Sequence, residues 1–252
     1  MTRANEVLAH FLDAFIEGLD PDGKAYPMVV VAGPNGSGKS TFWHHVVKPR
    51  FGGLAESWEY LNADDLVREE LGAGVRLDSV NQASLKELQL HAQSALTHQR
   101  RDLISNEPTN GFVYETVFSD PQGEKVKELE QGAKQGFLTV GVLVCAESID
   151  VLIERVSRRA ADGDHGVDVD RQRARYPRVL ENMKKALKIL DLAVLVDNST
   201  DDKQIKAAFR AVAVIQSGQV TLCADQLPFW ATDVLSSLAP SETTTGADSQ
   251  RH

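Results

Sequence analysis

The stretch "VVVAGPNGSGKSTF", residues 29–42, decides the fold that this sequence predicts. It opens with a short β-branched apolar run, which is typical of a buried parallel strand. The pattern G-x-x-x-x-G-K-[ST] follows and is met by Gly33, Gly38, Lys39 and Ser40. The residues after it favour a helix. Strand, glycine loop and helix in this order predict a phosphate-binding loop, or P-loop.

The residue types of the P-loop explain how it would hold phosphate. Glycines let the chain curl so that successive N–H groups point at phosphate oxygens, and the helix N-terminus adds its positive end. Lys39 is expected to reach the β- and γ-phosphates, and the Ser40 hydroxyl is expected to hold Mg²⁺. The chain is therefore expected to bind ATP or GTP. The predicted nucleotide-binding residues are Gly33, Pro34, Asn35, Gly36, Ser37, Gly38, Lys39, Ser40 and Thr41.

Strand-like and helix-like segments alternate over most of the chain. This order predicts an α/β fold of the P-loop NTPase kind, with a parallel sheet and helices on both of its faces. Helical spacing predicts a first helix over residues 4–19, and Ser217-Gly218 marks the turn of a C-terminal β-hairpin. Trp230 is expected to pack back on the body. We predict one domain over residues 1–235 and a polar, disordered tail over 236–252.

Composition excludes several classes of protein. The formal net charge of −9 argues against a general nucleic-acid surface, which needs basic residues. Cys145 and Cys223 each lie in an apolar run and are expected to be core residues rather than metal ligands or disulfide partners. No apolar run reaches the roughly 20 residues of a membrane span. A cytoplasmic protein with no membrane or nucleic-acid partner is expected.

Acidic residues follow two of the predicted strands, where ligands of open parallel sheets bind. "YLNADDL" supplies Asp64 and Asp65, and "FVYET" supplies Glu115 followed by Thr116. A kinase that acts on a hydroxyl needs a carboxylate beside the acceptor, so Asp64 and Glu115 are candidates. Two other interpretations stay open: Asp64 could cap a helix, and Glu115 could be a Mg²⁺-side acid of the Walker B type.

A basic segment follows the fourth predicted strand. From Arg155 to Lys188 there are ten Lys or Arg against five Asp or Glu, around the two-glycine loop "DGDHGVD". This composition predicts a lid over residues 155–180, whose arginines would close on the triphosphate. Pro177 predicts a kink or a fresh start in its second helix. A solvated helix face of ion pairs is the alternative. The lid arginines considered are Arg155, Arg159, Arg175 and Arg178.

Five segments in a fixed order resemble the zeta-toxin family of P-loop kinases, in particular its chromosomal bacterial branch. The resemblance covers roughly residues 27–235. The glycine loop is common to many families, whereas the combination with the later segments is more specific. The segments are "GPNGSGKST", "LNADD", "YETVFSD", "ERVSRRAADGDHGV" and "RARYPRVLENM".

The resemblance implies an activity and roles for residues. Members of this type use ATP and Mg²⁺ to phosphorylate the 3′-hydroxyl of UDP-N-acetylglucosamine or a related UDP sugar. It implies that Asp64 is the general base and that Arg155 contacts the γ-phosphate, with Lys39 and Arg175 as further catalytic groups. Arg159 and Arg178 would bind the nucleotide. The substrate-binding residues it implies are Asn62, Asp64, Glu115, Thr116 and His165.

Other functions remain as alternatives. The chain could be a kinase for another small hydroxyl compound, such as an antibiotic or a nucleotide, or a nucleotide-binding switch with little transfer activity. The family also implies a toxin role beside a separate small helical antitoxin protein. A nucleic-acid kinase is disfavoured, because the basic segment is short and carries Tyr176 as its one aromatic residue.

Overall fold

A computed structural model describes residues 2–19, 25–72, 75, 77–162, 166–200 and 209–239. These residues contain a seven-stranded sheet in the order β2-β3-β1-β4-β5-β6-β7. The first five strands in this order are parallel, and β6 and β7 are antiparallel additions. The predicted α/β fold is confirmed. The strands are β1 (Pro27–Ala32), β2 (Glu59–Leu61), β3 (Phe112–Thr116), β4 (Leu138–Cys145), β5 (Leu192–Asp197), β6 (Arg210–Gln216) and β7 (Gln219–Cys223).

Helices connect the strands, and most lie where the sequence predicts them. The helix after the P-loop differs, because its α-helical part is short and passes into a π-helical turn at Trp43–Val47. None of the helices in the described ranges is long and apolar enough to cross a bilayer. The α-helices are α1 (Arg3–Gly18), α2 (Lys39–Phe42), α3 (Ala63–Leu71), α4 (Gln82–Ser105), α5 (Glu124–Gln135), α6 (Ile149–Ala161), α7 (Val169–Ala186) and α8 (Phe229–Leu235).

The sheet is covered on both faces, which is why its central strands read as continuous apolar runs. All six positions of β1 are buried. Consecutive side chains of a strand point to opposite faces, so Met28 and Val30 join one apolar cluster while Val29 joins the other. Phe11 and Phe15 of α1 belong to the second cluster. The P-loop therefore starts from a strand that is buried along its whole length.

Helix α7 runs unbroken through Pro177, where a kink or a new start was predicted. Proline removes one backbone donor, and tertiary packing holds the helix together across that gap. The part after the proline buries Val179, Asn182 and Met183 against the body. The part before it is mostly exposed. Residues on both sides of Pro177 thus share one helical register.

The C-terminal elements close the structure as predicted. Ser217 and Gly218 both have positive φ, at 47° and 75°, as a tight hairpin turn requires. Trp230 is 1% exposed, and its Nε1 donates a hydrogen bond of 3.1 Å to Asp197 Oδ1. Ser236–Leu238 form a 3₁₀ turn, so the first residues of the predicted disordered tail are ordered. Residues 240–252 of the predicted tail lie outside the described residues.

Because Trp230 is buried, its replacement should lower the free energy of unfolding. Trp230→Ala removes a buried indole and leaves Asp197 without one donor, so the free energy of unfolding should fall by ~4 kcal/mol. The neighbour Phe229 is 77% exposed and provides a matched control. Urea unfolding of Phe229→Ala should stay within about 0.5 kcal/mol of the wild type. Equal losses in the two variants would show that α8 does not pack as described.

Candidate active site

The parallel pairing of β1 with β3 places the P-loop beside the acidic end of β3. Val31 pairs with Glu115 and Ala32 with Thr116. The backbone N–H of Gly33 then donates a 3.3 Å hydrogen bond to the carbonyl of Thr116. The first P-loop residue and the carboxylate of Glu115 are consequently fixed relative to each other by sheet hydrogen bonds.

The P-loop has the curled backbone that its glycines predict. Gly36 and Gly38 have φ of 81° and 88°, a region that favours glycine. A Cβ at Gly33 would lie 1.9 Å from the carbonyl oxygen of Val144. The loop is also anchored from the residue after β5, because Asn198 Nδ2 donates a 2.9 Å hydrogen bond to the Ser37 carbonyl. This backbone forms a compact anion cradle at the start of α2.

Lys39 is buried within this cradle. Its Nζ donates to the carbonyl of Pro34 at 3.2 Å and lies 3.8 Å from Glu115 Oε1. Burial lowers the pKa of Lys39, and the charges of Glu115 and Asp64 oppose that effect. The ammonium group is thus held between its own loop and the carboxylate at the end of β3.

Two neutral donors hold the other oxygen of Glu115. Tyr60 Oη donates to Glu115 Oε2 at 2.8 Å, and Asn62 Nδ2 donates to the same oxygen at 3.3 Å. Tyr60 belongs to β2, and Asn62 is the residue after this strand. Strand β2 lies next to β3 in the sheet. The carboxylate therefore has a fixed orientation, with Oε1 toward Lys39.

Asn62, not Asp64, caps α3. The Asn62 side chain accepts a 2.9 Å hydrogen bond from the backbone N–H of Asp64, and Asp64 lies in the first turn of the helix. The helix-cap interpretation of Asp64 is therefore wrong. The Asp64 side chain is left exposed at the end of the sheet that carries the P-loop.

Two adjoining cavities meet at this group. The larger has a volume of about 560 Å³ and the smaller about 270 Å³. Lys39, Asp64 and Glu115 line both of them. P-loop residues from Asn35 to Thr41, with the exception of Ser37, line the smaller cavity. The larger extends past Asn62 and Thr116 toward α4 and α5. The three charged side chains therefore lie at the border between the two cavities.

The arginines of the basic segment divide between the two cavities. Arg171 and Arg175 line both, Arg159 lines the smaller one, and Arg178 lines the larger one. Burial lowers the pKa of Arg175, with Arg171 and Arg178 acting in the same direction. One face of α7 thus carries positive charge across the border between the cavities.

The structure places Arg155 away from both cavities. Its guanidinium donates to the backbone carbonyls of Asn198 at 2.7 Å and Thr200 at 3.1 Å. Arg171 takes the position at the cavity border, and the sequence interpretation missed it. The signal was present, because residues 171, 175 and 178 recur at helical spacing on one face.

The end of β3 bends sharply before α5. Phe118 has a positive φ of 63° although it is not glycine. Thr116 Oγ1 accepts from the Phe118 N–H at 3.1 Å, and Asn182 Nδ2 donates to the carbonyls of Phe118 and Asp120, both at 2.9 Å. Helix α7 therefore clamps the bend that forms one wall of the larger cavity. His165 lies outside the described residues.

Basic residues on α4 and α5 form the far wall of the larger cavity. Arg100 is buried in a 2.5 Å ion pair with Glu128, and Lys125 Nζ lies 3.4 Å from the same carboxylate. Burial lowers the pKa of Lys125. Neither Arg100 nor Lys125 was predicted, because each lies within an amphipathic helix with no motif around it. With Arg101 Nε 3.7 Å from Glu128, three cations share one carboxylate, and two of them, Arg100 and Lys125, line the larger cavity. The wall therefore suits an anionic group.

The oxygen ligands beside the P-loop suit Mg²⁺ bound together with nucleotide phosphates. Within the described ranges, no group of three or more His, Cys, Asp or Glu side chains could hold a metal ion by itself. Mg²⁺ usually takes one or two protein oxygens, substrate phosphates and water. Ser40, Asp64 and Glu115 all line the smaller cavity and provide such oxygens.

Solved structures of low sequence identity share the fold. One comes from the PezAT chromosomal toxin–antitoxin system of Streptococcus pneumoniae, at 15% identity and a TM-score of 0.50, covering 94% of this chain and 86% of that chain. Another is AvrRxo1-ORF1:AvrRxo1-ORF2 with sulphate ions, at 15% identity and a TM-score of 0.50, covering 96% of this chain and 71% of that chain.

Sequence comparisons give the family. No curated protein matches the chain. A family profile described as an AAA domain matches residues 28–187 of the 252. This span begins in β1 and ends directly after α7, so it contains the P-loop, both acidic strand ends and the arginine helix. With more than half of its length matched, the chain belongs to this AAA-domain family.

Proposed function

We propose that this protein is an ATP-dependent phosphotransferase of the zeta-toxin type that phosphorylates a hydroxyl of a UDP-activated amino sugar. The 3′-hydroxyl of UDP-N-acetylglucosamine is the first candidate. One observation carries the proposal: two adjoining cavities share Lys39, Asp64 and Glu115 at their border. A transfer enzyme needs this arrangement, because donor and acceptor must meet at the reacting phosphate.

The smaller cavity is assigned to the phosphates of ATP. The P-loop N–H groups bind them, and Lys39 leaves the carbonyl of Pro34 to reach the β- and γ-phosphates. Ser40, together with an acidic neighbour, would hold Mg²⁺, which supplies charge neutralisation at the phosphates when bound. The proposal takes ATP rather than GTP as the donor, following the family resemblance.

The larger cavity is assigned to the acceptor. Asp64 takes the proton of the acceptor hydroxyl while that oxygen bonds to the γ-phosphorus. The bond from the γ-phosphorus to the bridging oxygen breaks, and ADP leaves with that electron pair. Asn62, Glu115 and Thr116 surround the acceptor group. The exposed position of Asp64 at the cavity border suits this role, because the base must reach both ligands.

Arginines of α7 neutralise charge on the group in transfer. Arg171 and Arg175 line both cavities, so they can contact the γ-phosphate from the side opposite the P-loop. The family resemblance gave this role to Arg155. Because Arg155 binds backbone carbonyls after β5, we assign the role to Arg171 and retain Arg175.

The acceptor cavity favours an anionic small molecule. Its volume of about 560 Å³ lies within the usual range for small-molecule pockets. The basic wall at Lys125 and the guanidinium of Arg178 suit the diphosphate of a UDP sugar. A nucleotide acceptor also carries phosphate that these basic groups could bind, so it is the second candidate. An uncharged antibiotic would give them no anionic partner. A toxin role with a small helical antitoxin partner belongs to the same proposal.

The direct test is incubation of the protein with ATP, Mg²⁺ and a panel of UDP sugars and nucleotides, followed by mass spectrometry. One acceptor should gain a single phosphate. The variant Asp64→Asn should bind ATP normally but lose at least ~10² in transfer rate. Asp65→Asn, in the same helical turn, is the matched control and should keep the wild-type rate. Normal transfer by Asp64→Asn would refute the assigned base, and no transfer to any acceptor would favour a nucleotide-binding switch.

Binding of ATP depends on the curl of the P-loop. Gly33→Ala puts a Cβ 1.9 Å from the carbonyl oxygen of Val144, so the loop must shift. Overpacking of this kind costs about 1–3 kcal/mol, so calorimetric titration should show ATP binding weakened by about tenfold or more. At Gly53 nothing lies within 4 Å of the Cβ position, and Gly53→Ala should bind ATP as the wild type does. An unchanged affinity of Gly33→Ala for ATP would show that ATP does not bind at the P-loop.

The arginine assignment can be tested on α7 itself. Arg171→Ala removes a charge at the border of both cavities and should lower kcat by ~10². Arg173, two residues along, forms an ion pair of 2.6 Å with Asp150 and lines neither cavity. Because an exposed pair contributes only about 0–1 kcal/mol, Arg173→Ala should keep kcat near the wild-type value. A loss in Arg155→Ala but not in Arg171→Ala would reverse the assignment.

A further inference from the structure

We infer that Tyr60 is a positioning residue for the proposed transfer reaction, holding Glu115 in place when Lys39 moves to the nucleotide. The inference rests on the proposed function and adds a residue that no motif marks. It starts from the 2.8 Å hydrogen bond between Tyr60 Oη and Glu115 Oε2.

The two oxygens of Glu115 have different partners. Oε2 accepts from the neutral donors Tyr60 and Asn62, while Oε1 faces the ammonium of Lys39 at 3.8 Å. The side chains of Lys39 and Glu115 are only 8% and 12% exposed. A carboxylate this buried needs partners for both oxygens, because water is largely excluded. Glu115 therefore depends on Lys39 on one side and on β2 on the other.

Nucleotide binding would remove one of these partners. A P-loop lysine serves the β- and γ-phosphates, so Lys39 must turn away from Glu115 when ATP binds. The partners of Oε2 do not move in that step, since they belong to β2 and the cap of α3. Oε1 then becomes available to the acceptor hydroxyl or to a Mg²⁺-bound water, while Oε2 stays fixed.

Tyr60 is suited to hold this position. A phenol is an O–H donor at neutral pH, and this one donates to Glu115 Oε2 at 2.8 Å. Its ring packs against the imidazole of His44, with centroids 4.6 Å apart. His44 lies in the π-helical turn that follows α2. The ring that carries the hydroxyl is therefore packed against the turn that directly follows α2.

Asn62 is the second donor to Glu115 and the weaker one. Its Nδ2 lies 3.3 Å from Glu115 Oε2, a longer contact than the tyrosine bond. Its Oδ1 also caps α3. The asparagine therefore positions the helix of Asp64 and supports Glu115, while the shorter bond makes the tyrosine the main support of Glu115. Together they set the distance between the proposed base and the neighbouring carboxylate.

The test is a double-mutant cycle on the full-length protein, with the acceptor that the panel identifies. Tyr60→Phe keeps the ring and removes only the hydroxyl. It should lower kcat/KM for the acceptor by about tenfold, because a hydrogen bond to a charged group is lost, and leave KM for ATP unchanged. In the Glu115→Gln background, Tyr60→Phe should cause no further loss.

Tyr176→Phe is the matched control. Tyr176 Oη donates to the carbonyl of Ala146 at 3.3 Å, and the residue lines neither cavity, so this variant should keep wild-type kinetics. Additive losses in the cycle, or an equal rise of KM for ATP, would overturn the inference and leave the proposed function standing. A wild-type protein that phosphorylates no acceptor would refute the proposed function, and the inference with it.

Discussion

The parallel register between β1 and β3 is the constraint on which the site depends. It places Glu115 beside Val31 and makes Gly33 the next hydrogen-bond donor to β3. The lysine of the P-loop and the carboxylate of the neighbouring strand then lie 3.8 Å apart without any further adjustment. A change of one residue in this register would reverse every side chain between the two faces of the sheet. Sheet geometry, rather than loop flexibility, therefore sets the central charge pair.

Each remaining part of the site is tied to this pair by a separate contact. Strand β2 supplies Tyr60, which donates to Glu115, and the residue after it caps the helix that carries Asp64. Helix α7 supplies the arginines at the cavity border and, through Asn182, holds the bend after β3. The two cavities are thus enclosed by elements that each have an anchor in the core. Such anchoring suits the proposed transfer reaction, which requires its groups to be placed within a narrow tolerance.

Much of this arrangement could be predicted from the sequence. The glycine pattern and its apolar strand gave the P-loop, and alternating segments gave the fold, because both signals are local and periodic. The strand-end acids were found because ligands of parallel sheets gather at one edge. Arg171 was missed and Arg155 was expected at the nucleotide, since a residue count along a basic segment does not show which helix face meets a cavity. The contact of Tyr60 with Glu115 could not be predicted, because it depends on strand β2 lying next to β3 in space.

In the proposed function, donor and acceptor are held together in two adjoining cavities. Calorimetric titration of UDP-N-acetylglucosamine into protein saturated with a non-hydrolysable ATP analogue tests this directly, without any turnover. We expect binding at one site per chain with the analogue retained. Binding should be weaker when Arg178 is replaced by alanine, because Arg178 lines the larger cavity and not the smaller one. Displacement of the analogue by the UDP sugar would show that both ligands compete for one cavity and would contradict the proposed function.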